Sequence, residues 1–255
     1  TGYVMTGPLE WGAWWSAYTK NPTEGDRYRL DLRTSNAFSK RFMPGIFVAY
    51  GTLDHRWKSG LNLRFILRKS PRTEANFEIK RDVEQFGMNG LLDQGEVFTS
   101  LLRTGSIAPL SEVIRAEASL LHEFGKGFSG FVEGRHRRVA AIGDWDFKDP
   151  EDGSPLDQLI TTELTGILRY AFQERFVSGE FERISLGTEW PIVTGTATWG
   201  LPGVLGSQYN YLRTTLDAED VARIGLVGRV EWLAQAGKYW GSAPYPLMEV
   251  VAASG

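Results

Sequence analysis

The sequence predicts an all-β protein, an antiparallel transmembrane β-barrel of about twelve strands or a portion of a larger barrel. Three observations predict it. Apolar and polar residues alternate with period two over stretches of about ten residues, as on strands whose two faces meet unlike surroundings. The connections between those stretches are short on one side and long on the other. No run approaches the ~18 consecutive apolar residues of a helical span, while a strand-built span needs no such run.

By this rule about twelve segments alternate: 9–20, 26–34, 42–50, 57–68, 75–85, 112–124, 128–139, 159–173, 180–190, 207–216, 222–233 and 244–251. In 26–34, Tyr28, Leu30 and Leu32 oppose Arg27, Arg29, Asp31 and Arg33. The clearest case is 57–68, where Trp57, Ser59, Leu61, Leu63, Phe65 and Leu67 oppose Lys58, Gly60, Asn62, Arg64, Ile66 and Arg68. Phe77 and Ile79 oppose Glu78 and Lys80. Ile114, Ala116, Ala118 and Leu120 oppose Arg115, Glu117 and Ser119. Ile160, Leu164, Leu168, Tyr170 and Phe172 oppose Glu163, Thr165 and Arg169, and Ile224, Leu226, Val230 and Trp232 oppose Arg223, Arg229 and Glu231. The intervals 35–41, 69–74, 125–127, 174–179 and 217–221 read as short turns, and 86–111, 140–158, 191–206 and 234–243 as long loops. Tight periplasmic turns and longer external loops build outer-membrane barrels this way, so 86–111 and 140–158 are expected outside.

Alternation alone leaves the solvent open: a soluble barrel turns its apolar face inward, a membrane barrel outward. The persistence of the pattern favours the membrane. So do aromatics near strand ends (Trp11, Trp14, Trp15, Tyr18, Phe47, Tyr50, Trp57, Tyr170, Phe172 and Trp190). A soluble β-barrel holding a hydrophobic ligand is the alternative. The 255 residues carry a formal net charge of −3, too balanced for a nucleic-acid binder. With no cysteine, thiolate chemistry and cysteine-ligated metals are excluded.

Several runs, taken in order, are similar to a known family. They are Asn21 to Leu30, Thr34 to Asn36, Phe38 to Phe42, Tyr50 to Lys58 and Arg81 to Gln85, followed by Arg169 to Ala171 with Glu174 and Phe176, and Arg183 to Leu186. Together they resemble the outer-membrane barrel family of Bacteroidota in which the barrel usually follows a carboxypeptidase-regulatory-like β-sandwich and whose function is unknown. The resemblance runs from about residue 9 to 190. It implies an outer-membrane location and no reaction. It also implies that residues 1–255 are a single barrel domain excised from a longer protein.

On a membrane reading, one interior would be lined by Arg27, Arg29, Asp31, Arg33, Lys58, Arg64, Arg68, Glu78, Lys80, Glu117, Glu133, Arg135, Arg137, Glu163, Arg169 and Arg183. A ring of one sign would select ions; mixed signs point to cross-strand pairs filling a narrow lumen, with Arg64 and Glu78 one candidate pair. Asp54–His55 and His122–Glu123 put a base beside an acid, but neighbours on a strand face opposite ways, and Ser129 and Ser185 lack a nucleophile-elbow context. A hydrolase is therefore the weakest reading. Asp144, Asp146, Asp149, Glu151, Asp152 and Asp157 crowd one loop without the spacing of a calcium loop, and 200–203 reads as a turn. Lys40, Arg41, Arg68, Lys69 and Arg72 sit at turns, where anionic head groups or water would meet them. The expectation is a non-enzymatic channel, or the embedded part of a transport or envelope-biogenesis assembly. It needs no cofactor or metal. Its partners would be outer-membrane lipid and other envelope proteins, with no nucleic acid.

Overall fold

A computed structural model describes residues 2–85, 110–143, 147–148, 153–224 and 228–241. The chain runs β1 Val4–Thr6, β2 Leu9–Trp11, β3 Tyr18–Asn21, β4 Gly25–Thr34, β5 Phe42–Gly51, β6 Trp57–Lys69, β7 Arg72–Gln85, β8 Leu110–Gly125 and β9 Phe128–Ala141. It continues as β10 Phe147–Lys148, β11 Pro155–Leu156, β12 Gln158–Ala171, β13 Arg175–Ser178, β14 Arg183–Gly187, β15 Ile192–Gly200, β16 Tyr211–Ile224 and β17 Gly228–Gly241. Two single 3-10 turns, Trp14–Ser16 and Val204–Gly206, complete it. Among the described residues no helix is long and apolar enough to cross a membrane, and strands are the only candidates for that role.

One antiparallel sheet of 13 strands carries the order β1-β2-β4-β5-β6-β7-β8-β9-β12-β15-β16-β17, with β3 also on β4. β10–β11 and β13–β14 are separate hairpins. Sequential antiparallel neighbours are what short connections permit.

Several sequence expectations need correction. The segment 222–233, expected as one strand, is the end of β16 and the start of β17, paired antiparallel with each other. The segment 9–20 is two short strands around a 3-10 turn; β2 pairs with one end of β4 and β3 with the other. The interval 191–206, expected as a loop, contains β15. Its two faces read Ile192, Thr194, Thr196, Thr198 against Val193, Gly195, Ala197, Trp199, a contrast too small in hydropathy to register as alternation. The segment 180–190 is not a wall strand; it contributes β14 of a side hairpin. The expected turn 217–221 lies inside β16, whose Asp217, Glu219 and Asp220 are ladder residues paired with β17. Residues 234–241, expected in a loop, complete β17. The acidic run from Asp144 to Asp152, most of 86–111 and the segment 244–251 fall outside the described residues.

The connections remain unequal. At one end lie 35–41, 70–71, 126–127 and 225–227; at the other lie 52–56, 86–109, 142–157 and 201–210. The exception at the short-turn end is 172–191, which holds the β13–β14 hairpin.

The sheet curls toward its charged face. Arg27 on β4 and Asp82 on β7 are three strand spacings apart, ~14 Å across a flat sheet at ~4.8 Å per step, and side chains stand nearly perpendicular to a sheet. Yet Arg27 Nη1 lies 2.8 Å from Asp82 Oδ1. Only curvature that makes this face concave brings the tips together. Gly51 and Gly60, on the strands between, leave the necessary room. A Cβ at Gly51 would stand 2.4 Å from Asp54 Oδ1 and 2.9 Å from Lys58 Nζ. A Cβ at Gly60 would stand 2.3 Å from the Phe47 ring.

The convex face is apolar and open. Leu30 is 59% exposed, Leu168 55% and Val132 52%, and Ile46, Val48, Ile79, Leu120 and Leu164 are exposed beside them. Aromatic neighbours pair at strand ends, Tyr18 with Tyr28, Tyr50 with Trp57, and Phe128 with Tyr170.

Candidate functional site

The concave face is the candidate site. Two apolar clusters occupy it toward the two ends. At the long-loop end Val113, Val139, Leu159, Phe147, Tyr209 and Tyr211 pack together. At the short-turn end Met43, Ile66 and Phe181 do so. Ion pairs fill the space between.

Near the start of β4, Glu24 receives Arg27 at 3.1 Å and Lys58 at 2.7 Å, and Lys58 also reaches Asp54 at 2.5 Å. Lys58 is 2% exposed, so its ammonium is tolerable only because two carboxylates replace its water. Arg29 forks onto Asp31 with Nε and Nη2 at 2.8 and 2.7 Å and lies over the Phe47 ring. Arg33 donates to Glu10 at 2.7 Å.

A belt continues across β7, β8, β9, β12 and β16. Lys80 meets Glu84 and Glu78; Arg115 meets Glu78 at 3.0 Å and Glu117 at 3.0 Å; Arg135 joins Glu117 to Glu133 at 2.7 Å each. The Nε atoms of Arg115 and Arg135 find no hydrogen-bonding alignment with Glu117 Oε1, so attraction there is coulombic. Arg137 reaches Glu163 at 3.1 Å. Glu163 also accepts a hydrogen bond from the Tyr211 hydroxyl. Glu163, Gly200 and Tyr211 sit opposite one another on three strands, and a Cβ at Gly200 would stand 2.5 Å from the Tyr211 ring. The ring thus crosses the glycine to reach the carboxylate.

The hairpin β13–β14 straps the short-turn end. It leaves β12 and lies across the concave face to β6 and β7, four strand positions away at its furthest. The Phe181 carbonyl accepts from Arg64 Nη2 at 3.0 Å and Arg72 Nη2 at 2.6 Å. Arg64 also meets Glu74 at 2.5 Å and Glu182 at 3.1 Å. Glu180 takes Lys69 and Lys40. Arg183 pairs with Glu123 of β8 and lies over Phe176. Glu174 takes both Arg169 guanidinium nitrogens, at 2.5 and 2.9 Å, and the Ser185 hydroxyl at 2.6 Å. Burial pushes the Glu174 carboxyl up, but the Arg169 and Ser185 hydrogen bonds and nearby guanidinium charge outweigh it and hold the group below the ordinary range. The hydrogen bond from Lys69 likewise holds Glu180 low.

Arg27, Arg29, Asp31, Arg33, Lys58, Arg64, Glu78, Lys80, Glu117, Glu133, Arg135, Arg137, Glu163 and Arg169 all sit on wall strands with their side chains on the concave face. Two named residues differ. Arg68 is exposed at the strand end and donates to the Ser70 carbonyl. Arg183 belongs to the strap, not to a wall. The expected Arg64–Glu78 pair is not made: Arg64 faces Asn76 in register and reaches diagonally to Glu74, while Glu78 goes to Arg115. Sequence reasoning did not place Glu24, Asp82, Glu84, Glu123, Glu174 or Tyr211 among the inward-lining residues. The inward parity of Asp82 and Glu84 on β7 was a usable signal; nothing local marks Glu24 or Tyr211.

The histidines are apart. His55 lies in a loop against the Tyr50 hydroxyl, and His122 and His136 face outward onto Thr73 and Thr162. His122 and Glu123 point to opposite faces, and Ser185 is held by Glu174. Among the described residues no group of three or more His, Asp or Glu could hold a metal. A cleft of about 350 Å³ remains on the concave side, lined by Tyr3, Arg29, Asp31, Phe47, Glu78 and Arg115 among others.

The chain is similar to a crystal structure of BamA from Haemophilus ducreyi lacking POTRA domains 1-3, with a TM-score of 0.56 and 11% identity. The shared feature is the barrel fold. The likeness covers 97% of this chain and 44% of that one, so the chain spans less than half that structure's length. Residues 147–255 match the C-terminal domain of a family of unknown function (DUF5686). That match falls on the later part of the chain, whereas the resembling runs from Asn21 to Gln85 precede it. No curated protein matches.

Proposed function

We propose that this chain is the membrane-embedded wall of a non-enzymatic outer-membrane barrel, with a bore occupied by its own side chains and strap. One observation carries the reading: apolar side chains cover the convex face while paired charges fill the concave one. Soluble monomers rarely expose apolar patches beyond a few hundred Å², and a ligand-binding soluble barrel would place its leucines inside. The barrel fold shared with BamA supports the location, as do the unknown-function family match and the motifs resembling the Bacteroidota barrels. The full bore supports a role as part of a transport or envelope-biogenesis assembly rather than as a wide diffusion channel.

The test is reconstitution followed by planar-bilayer recording. Insertion into phosphatidylcholine vesicles with strand-rich circular dichroism, and no large steady conductance, is the expected result. A chain that stays monomeric in water without detergent would remove the membrane reading. Large, stable, weakly selective conductance would remove the filled bore.

A further inference from the structure

From β5 to β12 the convex side chains away from the short-turn ends are uncharged except at one place. Arg81 of β7, Glu112 of β8 and Arg138 of β9 gather at the long-loop end. Arg81 and Arg138 lie opposite Ile114 on either side, in one row across three adjacent strands. Arg56, from the loop before β6, joins them. Glu112 holds Arg81 at 2.5 Å and Arg56 at 2.6 Å. Arg138 is exposed and has no carboxylate partner among the described residues. Three guanidiniums share one carboxylate, which leaves a net charge of +2 on a face whose other polar groups near it, such as His136 with Thr162, carry no formal charge.

The position along the strand gives this charge a meaning. Arg81 is eight residues from Thr73, whose hydroxyl pairs with His122 at the other edge of the apolar face. That is ~26 Å along the strand at ~3.3 Å per residue, and ~20 Å in height at a tilt of ~40°, the scale of the ~25 Å apolar band of such barrels. The arginines therefore stand at head-group level, with Ile114 exposed between them and Ile79, Val132 and Leu164 exposed below.

We propose that Arg81 and Arg138, with Arg56, clamp the phosphate of an anionic lipid in the leaflet facing the long loops, its acyl chains lying over Ile114 and its apolar neighbours. This rests on the membrane reading above. Guanidinium forks match phosphate oxygens, and an arginine at the band's edge keeps its stem on apolar surface and its head among lipid phosphates. Glu112 orients Arg81 and Arg56 without cancelling the site.

The chain should be reconstituted in phosphatidylcholine nanodiscs doped with a phosphorylated glycolipid or its dephosphorylated counterpart, and retained lipid read by native mass spectrometry. The phosphorylated lipid should be retained in preference by about tenfold or more, the scale of one charge-assisted contact. The double variant R81Q/R138Q should lose that preference while still entering the disc. Equal retention of both lipids, or unchanged preference in the variant, would overturn the site and leave the barrel standing. A chain that does not enter discs at all would overturn the barrel reading instead. Release of the lipid by millimolar inorganic phosphate would assign the site to a soluble anion and overturn the lipid.

Discussion

On β4 and β6–β9 the concave face carries a dense set of guanidiniums and carboxylates; on β15 it carries Thr194, Thr196 and Thr198, with Arg213, Thr215, Asp217 and Glu219 beside them on β16. The first region stores its specificity in charge pairs made both within strands, as Arg29 with Asp31, and between them, as Arg27 with Asp82. The second relies on the backbone ladder and small contacts such as Thr165 to Thr198 at 3.1 Å. The difference shows where this sheet is sensitive. A buried charge cannot lose its partner cheaply, whereas a threonine on a laddered strand loses little.

The largest effect should come from Asp82→Ala. Arg27 and Asp82 side chains are 10% and 9% exposed, and removing one partner of a buried pair costs about 3–5 kcal/mol. The matching change in the second region, Asp217→Ala, should cost less than ~0.5 kcal/mol, because Asp217 Oδ1 is buried without a hydrogen-bond partner and its loss strands nothing. Urea unfolding in lipid vesicles measures both, and equal costs would erase the contrast between the regions.

Face should matter as much as region. Leu63→Arg puts a guanidinium on the convex side and should cost about 2–4 kcal/mol near the midplane. Thr196→Arg, on the concave side of β15, should cost less than ~1 kcal/mol, since inward positions of such barrels accept polar groups. Similar losses from both would mean that the convex face does not meet lipid.

Phe181→Ala should cost about 2–3 kcal/mol, below the range of a full core because its cluster holds only Met43 and Ile66 besides. The same variant should raise protease cleavage within 172–191. Stability lost without added cleavage would mean that the strap is held by its ion pairs alone.

The smallest effect is that of acid on the strap. Glu174 and Glu180 titrate below their ordinary range when folded. A depressed carboxylate contributes stability that is present above its unfolded value, ~4.3, and is lost as pH falls through the folded one. Cleavage within 172–191 should therefore rise as the pH drops below ~4, and Arg169→Gln should move the onset upward. An onset unmoved by that substitution would take Glu174 out of the latch.

Strong alternation was legible wherever one face was ionic, which is why β4 and β6–β9 read clearly from residues such as Arg29 against Leu30 or Arg64 against Leu63. It failed on β15, where threonine and glycine differ little in hydropathy from their neighbours. It failed again at Asp217, where an acidic residue imitates a turn but is a rung of the β16–β17 ladder.

Period two is a local property of the backbone, so the sequence by itself determined the strands with one ionic face, the two unlike faces of each, and the mixed sign of the inward charges. Which charges meet between strands was decided by tertiary structure alone. Arg27 finds Asp82 because the sheet curls over Gly51 and Gly60, and Tyr211 finds Glu163 because Gly200 lets its ring cross. Arg64 finds Glu182 because a hairpin with no strand partner in the wall has only the concave face on which to bury Phe181. Those distances depend on curvature accumulated over several strands, and no window along the chain contains it.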